Sequence, residues 1–133
     1  MFRKLFFFVG FLLFQNSFGQ VTFEVKVPNN TPENASIYIS GNFENWSGGQ
    51  ENYKLSKKGA TYYITIPKRT GEINFKFTQG SWSTVEVNSK GSNIENRTYT
   101  FEGEKGIVHI NIINWDNAKP KKSTAQKNVY VLT

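Results

Sequence analysis

From Val21 onward the chain alternates apolar and polar residues with a period of two. The runs are Val21/Phe23/Val25/Val27, Ile37/Ile39, Tyr62/Ile64/Ile66, Ile73/Phe75/Phe77, Val85/Val87, Tyr99/Phe101 and Val108/Ile110/Ile112. Side chains of an extended strand alternate between its two faces, so this pattern predicts strands with one face in a core and the other in water. Between the runs lie Pro28-Asn29-Asn30, Gly41-Asn42, Gly48-Gly49, Lys57-Lys58-Gly59, Arg69-Thr70-Gly71, Gln79-Gly80, Lys90-Gly91 and Glu102-Gly103, whose residue types favour turns. No stretch sustains a 3.6-residue period, and no substantial helix is expected. Roughly seven to eight short strands at intervals of about ten residues predict an all-β fold, an antiparallel immunoglobulin-like β-sandwich.

The two ends of the chain break the alternation. Arg3-Lys4 is followed by the nearly all-apolar Leu5 to Phe14, and Ser17-Phe18-Gly19 places small residues at the −3 and −1 positions of a cleavage site. Residues 1–19 therefore read as a signal peptide, and the protein as secreted: periplasmic, extracellular or at the cell surface. The apolar run is about half of the ~20 residues that a membrane span requires, and no second such run exists. At the other end, residues 118–127 form a Lys- and Pro-bearing linker without apolar periodicity. Asn128-Val129-Tyr130-Val131-Leu132-Thr133 then reads as the start of a missing following domain. The sandwich is expected to occupy residues 20–117.

Charge is unevenly placed along the chain. The formal net charge is +6, yet Arg3 and Lys4 lie in the signal segment, and Lys119, Lys121, Lys122 and Lys127 lie beyond residue 117. The body between carries equal numbers of basic and acidic residues, so nothing marks a nucleic-acid face. Cysteine is absent, which removes disulfides and thiolate metal sites, and a chain cut before Gln20 exposes no cysteine for lipid attachment. His109 is the single histidine and alternates away from Val108 and Ile110, a solvated position rather than a metal ligand. No metal or cofactor is expected.

The residues that could carry chemistry follow from the strand faces. Ile37-Tyr38-Ile39-Ser40-Gly41-Asn42-Phe43-Glu44-Asn45-Trp46 runs from a strand into a polar loop that presents a tryptophan. With Ile73, Phe75 and Phe77 inward, Asn74, Lys76 and Thr78 are expected to face solvent, making Lys76 an exposed donor on a rigid strand. The Gln79-Gly80 hairpin leads to Trp82, flanked by Ser81 and Ser83, and Asn96-Arg97 precedes the strand around Tyr99. Each has a plainer reading: Trp46 packed under its own loop, Lys76 a solvated surface lysine, Trp82 paired across a hairpin, Asn96 a turn residue. Trp115 is expected to be structural.

Taken in order, Val21-Thr22-Phe23-Glu24-Val25, Ile37 to Trp46, Ile73-Asn74-Phe75-Lys76-Phe77 and Asn96-Arg97-Thr98-Tyr99 resemble the starch-binding domain of carbohydrate-binding module family 20, over nearly all of 21–117. The resemblance implies that Trp46 and Trp82 stack on consecutive glucose rings while Lys76 and Asn96 hydrogen-bond sugar hydroxyls. The family's second, tyrosine-based site finds no clear match, with Tyr53 a remnant at most. The chemistry is coherent on its own terms, since a glucose ring offers an apolar C–H face and a rim of hydroxyls. The implied role is non-catalytic binding of starch- or glycogen-type α-glucan that tethers a covalently linked C-terminal catalytic domain to polysaccharide. The alternative is a structural or protein-interaction β-sandwich preceding an α/β-hydrolase-type esterase domain. No nucleophilic triad or acid/base pair can be assembled, and Glu44, Glu86 and Glu95 are expected to be exposed carboxylates near the sugar.

Overall fold

A computed structural model describes residues 19–116. The linker and the run beyond it, and all but Gly19 of the signal segment, lie outside the described residues. Within them the alternating runs become nine strands: β1 (Val21–Lys26), β2 (Tyr38–Gly41), β3 (Ser56–Lys58), β4 (Thr61–Ile66), β5 (Glu72–Thr78), β6 (Glu86–Val87), β7 (Arg97–Thr100), β8 (Gly106–Asn111) and β9 (Asn114–Trp115). They pair as a four-stranded sheet β3-β4-β1-β8, a three-stranded sheet β2-β5-β7 and a short β6-β9 ribbon. The fold is an all-β sandwich, as the periodicity predicts. The strands number nine because β3 and β9 carry no period-two signal. All three residues of β3 are exposed, and its two lysines suit a sheet edge that must not recruit another chain.

One pairing departs from the expected antiparallel pattern. β8 runs parallel to β1, with Phe23 opposite Val108 and Val25 opposite Ile110, whereas β4 flanks the other side of β1 antiparallel. The inward residues of the two larger sheets meet around Phe23, which is fully buried. Its ring lies 4.9 Å from Phe75, 6.0 Å from Tyr99 and 6.5 Å from Phe77, tilted or edge-on in each case, the geometries that aromatic quadrupoles favour. Trp115 is also fully buried, with its indole N–H donating to Thr31 Oγ1 at 2.8 Å. It is structural, as expected.

Glu86 corrects one reading of the sequence. It is 1% exposed and does not face a ligand. Arg97, opposite the inward Phe75, grips it through Nε to Oε2 at 2.9 Å and Nη2 to Oε1 at 2.8 Å. The Phe77 N–H donates to the same carboxylate at 3.1 Å, and Arg97 Nη2 also reaches the Asn111 carbonyl at 3.3 Å. The pair thus joins β5, β6, β7 and the end of β8, and a bidentate ion pair with further hydrogen bonds is what a buried carboxylate requires.

The face of β5 that turns away from the core is less exposed than alternation alone implies. Ser40 pairs with Lys76 and Tyr38 with Thr78 across β2 and β5. Ser40 and Thr78 are nevertheless fully buried, and Asn74 and Lys76 are half-buried. The reason is the chain from Asn42 to Gly49, which folds back over this outer face. The Asn42 N–H donates to the Asn74 carbonyl at 3.0 Å, Asn42 Oδ1 accepts from the Asn74 N–H at 3.1 Å, and Thr78 Oγ1 donates to the Gly48 carbonyl at 2.5 Å.

Candidate functional site

The loop after β2 is built around one carboxylate. Glu44 is 8% exposed and accepts from Ser40 Oγ at 2.6 Å, the Gly41 N–H at 2.9 Å, the Ser47 N–H at 3.0 Å and Ser47 Oγ. Burial is the largest influence on its titration and acts to raise it, but these hydrogen bonds together outweigh burial and hold Glu44 below its ordinary value. The expectation of an exposed, sugar-facing carboxylate is therefore corrected for Glu44 as well as Glu86, whereas Glu95 is exposed.

Between the two arms of this network, Asn45 and Trp46 both adopt left-handed backbone, with φ of 62° and 53°. Asparagine tolerates that region, but tryptophan does so rarely, and such a residue costs of order 1–3 kcal/mol. The closing hydrogen bond from the Trp46 N–H to the Gly41 carbonyl at 2.9 Å fixes the turn. Because a Cβ is what makes this conformation unfavourable, Trp46→Gly should be more stable than Trp46→Ala by about 1 kcal/mol. Urea unfolding of the two variants checks this, and equal midpoints would show that the strain is absent.

Trp82 comes to the same place from the segment that follows β5. It opens a short 3-10 turn, Trp82–Thr84, rather than lying on a strand. The turn is closed by Ser81 and Thr84, with Thr84 Oγ1 donating to the Ser81 carbonyl at 2.7 Å and accepting from the Gln79 N–H at 3.0 Å. The Trp82 indole Nε1–H donates to the Trp46 carbonyl at 2.9 Å. The two indole rings are 6.1 Å apart between centroids and inclined at 40°, with Trp82 38% exposed and Trp46 half-buried.

Glycines make this approach feasible. A Cβ on Gly48 would lie 2.9 Å from Trp82 Cδ1 and Nε1, and one on Gly49 would lie 2.3 Å from the Gly80 carbonyl oxygen. The sequence marks Gly48-Gly49 and Gly80 only as turn residues. Their second duty, letting two loops touch backbone to backbone, has no local signal.

The structure thus brings Trp46 and Trp82 into direct ring contact. Lys76 lies on the same outer face, opposite Ser40, the residue that anchors the Trp46 loop. Asn96 is exposed and immediately precedes β7. Since Phe75 is opposite Arg97, continuing that register by one step sets Asn96 beside Lys76. Neither Lys76 nor Asn96 spends its side chain on a hydrogen bond or ion pair with another described residue. Tyr53 is half-buried, its ring 5.1 Å from Phe43 at the start of the Trp46 loop. His109 is an exposed partner of Glu24 at 3.2 Å on the other sheet. Sequence reasoning places Glu44 at the surface and misses its part in holding this loop. A Ser-x3-Glu-x2-Ser spacing bracketing the tryptophan was the available signal.

No family model matches the chain. It is 39% identical over 97 residues to an α-amylase of Niallia circulans, covering 71% of this chain and 8% of that protein. It is 36% identical over 101 residues to an amylopullulanase of Thermoanaerobacter thermohydrosulfuricus, covering 72% of this chain and 7% of that protein. The chain shares a segment with amylolytic enzymes. It spans less than a tenth of the length of these relatives. Among solved structures, a glycoside hydrolase family 15 glucoamylase from Hypocrea jecorina matches with a TM-score of 0.53 and 18% identity, over 74% of this chain and 18% of that one. That likeness is one of fold. No helix among the described residues is long and apolar enough to cross a membrane.

Proposed function

We propose that the sandwich is a secreted, non-catalytic starch-binding module of the carbohydrate-binding module family 20 type, which holds α-glucan through Trp46, Trp82, Lys76 and Asn96 and tethers an attached enzyme to polysaccharide. The observation that carries this reading is the indole pair itself, two adjoining apolar faces at the surface, one of them on strained backbone. A fold with no use for that surface gains nothing from holding tryptophan at φ 53°. Segments of the same kind in amylolytic enzymes, each a small part of its protein, support an accessory role.

The geometry also favours the glucan class. Two coplanar platforms would suit a flat β-linked chain, whereas rings inclined at 40° suit a chain that curves from one glucose to the next. Lys76 offers three donors, and Asn96 both donors and an acceptor, for the hydroxyl rim. Stacking plus two or three hydrogen bonds of about 1 kcal/mol each, less the cost of ordering, places affinity roughly in the micromolar to millimolar range, which a polymer raises by avidity. The alternative, a structural sandwich, predicts buried indoles, and Trp82 is exposed.

Electrophoresis through native gels tests the proposal. With soluble starch in the gel the protein should migrate more slowly than in a plain gel, and a soluble cellulose derivative should leave it unaffected. Trp82→Ala should lose about tenfold or more in affinity. Wild-type protein that starch does not retard would defeat the proposal, and a Trp82→Ala variant retarded like wild type would remove this surface as the site.

A further inference from the structure

We propose that Glu44 is the positioning residue of the indole platform: its carboxylate clamps the chain on both sides of Trp46 and so holds that ring beside Trp82. The inference rests on the reading of the two tryptophans as the glucan platform, though its spectroscopic test needs no ligand. Two of the four donors to Glu44, Ser40 Oγ and the Gly41 N–H, precede the left-handed pair. The other two, the Ser47 N–H and Oγ, follow it. The segment 40–47 is therefore closed into a ring through one side chain, with Asn45 and Trp46 as its apex.

The network extends past the ring to the other tryptophan. Ser40 Oγ, which donates to Glu44, accepts from the Gly48 N–H at 2.8 Å. Gly48 in turn is held through its carbonyl by Thr78 Oγ1, and Thr78 Oγ1 accepts from the Gly80 N–H at 3.0 Å, two residues before Trp82. An ionised carboxylate is the group this arrangement needs. Three of the four donors converge on Oε1 and the Ser47 hydroxyl on Oε2; a glutamine would keep one oxygen but lose the negative charge that three donors on one atom call for, and its NH2 would force the Ser47 hydroxyl to turn from donor to acceptor. Glu44 touches no ligand in this scheme and acts only through Trp46.

The test uses the whole chain carrying Glu44→Gln, with Trp82→Ala as the baseline for an unpaired indole. Two indoles in contact give an exciton couplet in circular dichroism, which reports their mutual orientation and is insensitive to stability as such. Wild type should show the couplet. Glu44→Gln should unfold cooperatively, lose most of the couplet and bind starch about tenfold or more weakly. Should Glu44→Gln fail to fold, Ser47→Ala, which removes one donor only, should weaken the couplet in a folded protein. A folded Glu44→Gln, or failing that Ser47→Ala, with an undiminished couplet overturns the proposal. Wild type that shows the couplet without starch retardation instead defeats the glucan reading while leaving the clamp standing.

Discussion

Glu86→Ala should destabilise the sandwich by about 3 kcal/mol, the low end of the range for breaking a buried ion pair, because the Arg97 side chain keeps 25% of its exposure. The loss has two parts. The Arg97 guanidinium, 5.9 Å from the Phe77 ring centre, would retain a single hydrogen-bond acceptor among the described residues, the Asn111 carbonyl. The Phe77 N–H would lose its acceptor, and an unsatisfied buried donor is costly in itself. The double variant Glu86→Met/Arg97→Met should recover part of the stability, since an apolar pair leaves no uncompensated charge behind. Urea unfolding of the three proteins decides the matter, and a single variant within about 0.5 kcal/mol of wild type would show the pair to be ornamental. Starch retardation of the single variant should also weaken, because Asn96 adjoins Arg97.

Gly49→Ala should part the two tryptophan loops. The new methyl would sit 2.3 Å from the Gly80 oxygen, 2.6 Å from its carbonyl carbon and 2.8 Å from its Cα. These are backbone atoms that cannot swing aside. Relief requires the Trp46 and Trp82 loops to part, and overpacking of that kind costs about 1–3 kcal/mol. The expected result is a protein that still unfolds cooperatively yet loses both starch retardation and the contact between the indoles. By contrast, Gly59→Ala adds a Cβ with nothing within 4 Å and should leave binding unchanged, its cost confined to the positive φ of 62°. Retention of full starch affinity by Gly49→Ala would show that the loops do not need their close approach.

The strands were legible because burial on one face writes a period of two into the sequence, and Val21 to Lys26 or Glu72 to Thr78 could hardly be read otherwise. What the period could not carry was the fate of the second face. Ser40 and Thr78 are polar and alternate outward, yet both are fully buried, because a loop lies over them. Polar residues facing loop backbone and polar residues facing water look alike in sequence. The same blindness applies to Glu44 and Glu86, which read as surface carboxylates although each is a buried acceptor hub: Glu86 in a network closed only by tertiary structure, Glu44 in one closed locally within residues 40–47. β8 beside β1 is a further instance, since the pairing joins strands from opposite ends of the described sequence and nothing local announces it. The candidate site was more legible than the supports that hold it. Trp46 and Trp82 could be named because large apolar rings among serines, asparagines and glycines have few explanations, while their contact depended on Gly48, Gly49 and Gly80.

The hydrogen bond from Trp82 Nε1 to the Trp46 carbonyl has a consequence for what the proposed platform could discriminate. An indole N–H is the ring's sole donor, and here it is committed to the protein before any ligand arrives. Trp82 therefore has no means of registering the direction in which a hydroxyl points; it can only reward a ligand whose C–H face lies flat enough to shed water against it. In the proposed site, stereochemical reading would fall to Lys76 and Asn96, with the aromatic floor a gauge of contour and its polar margin a gauge of chemistry.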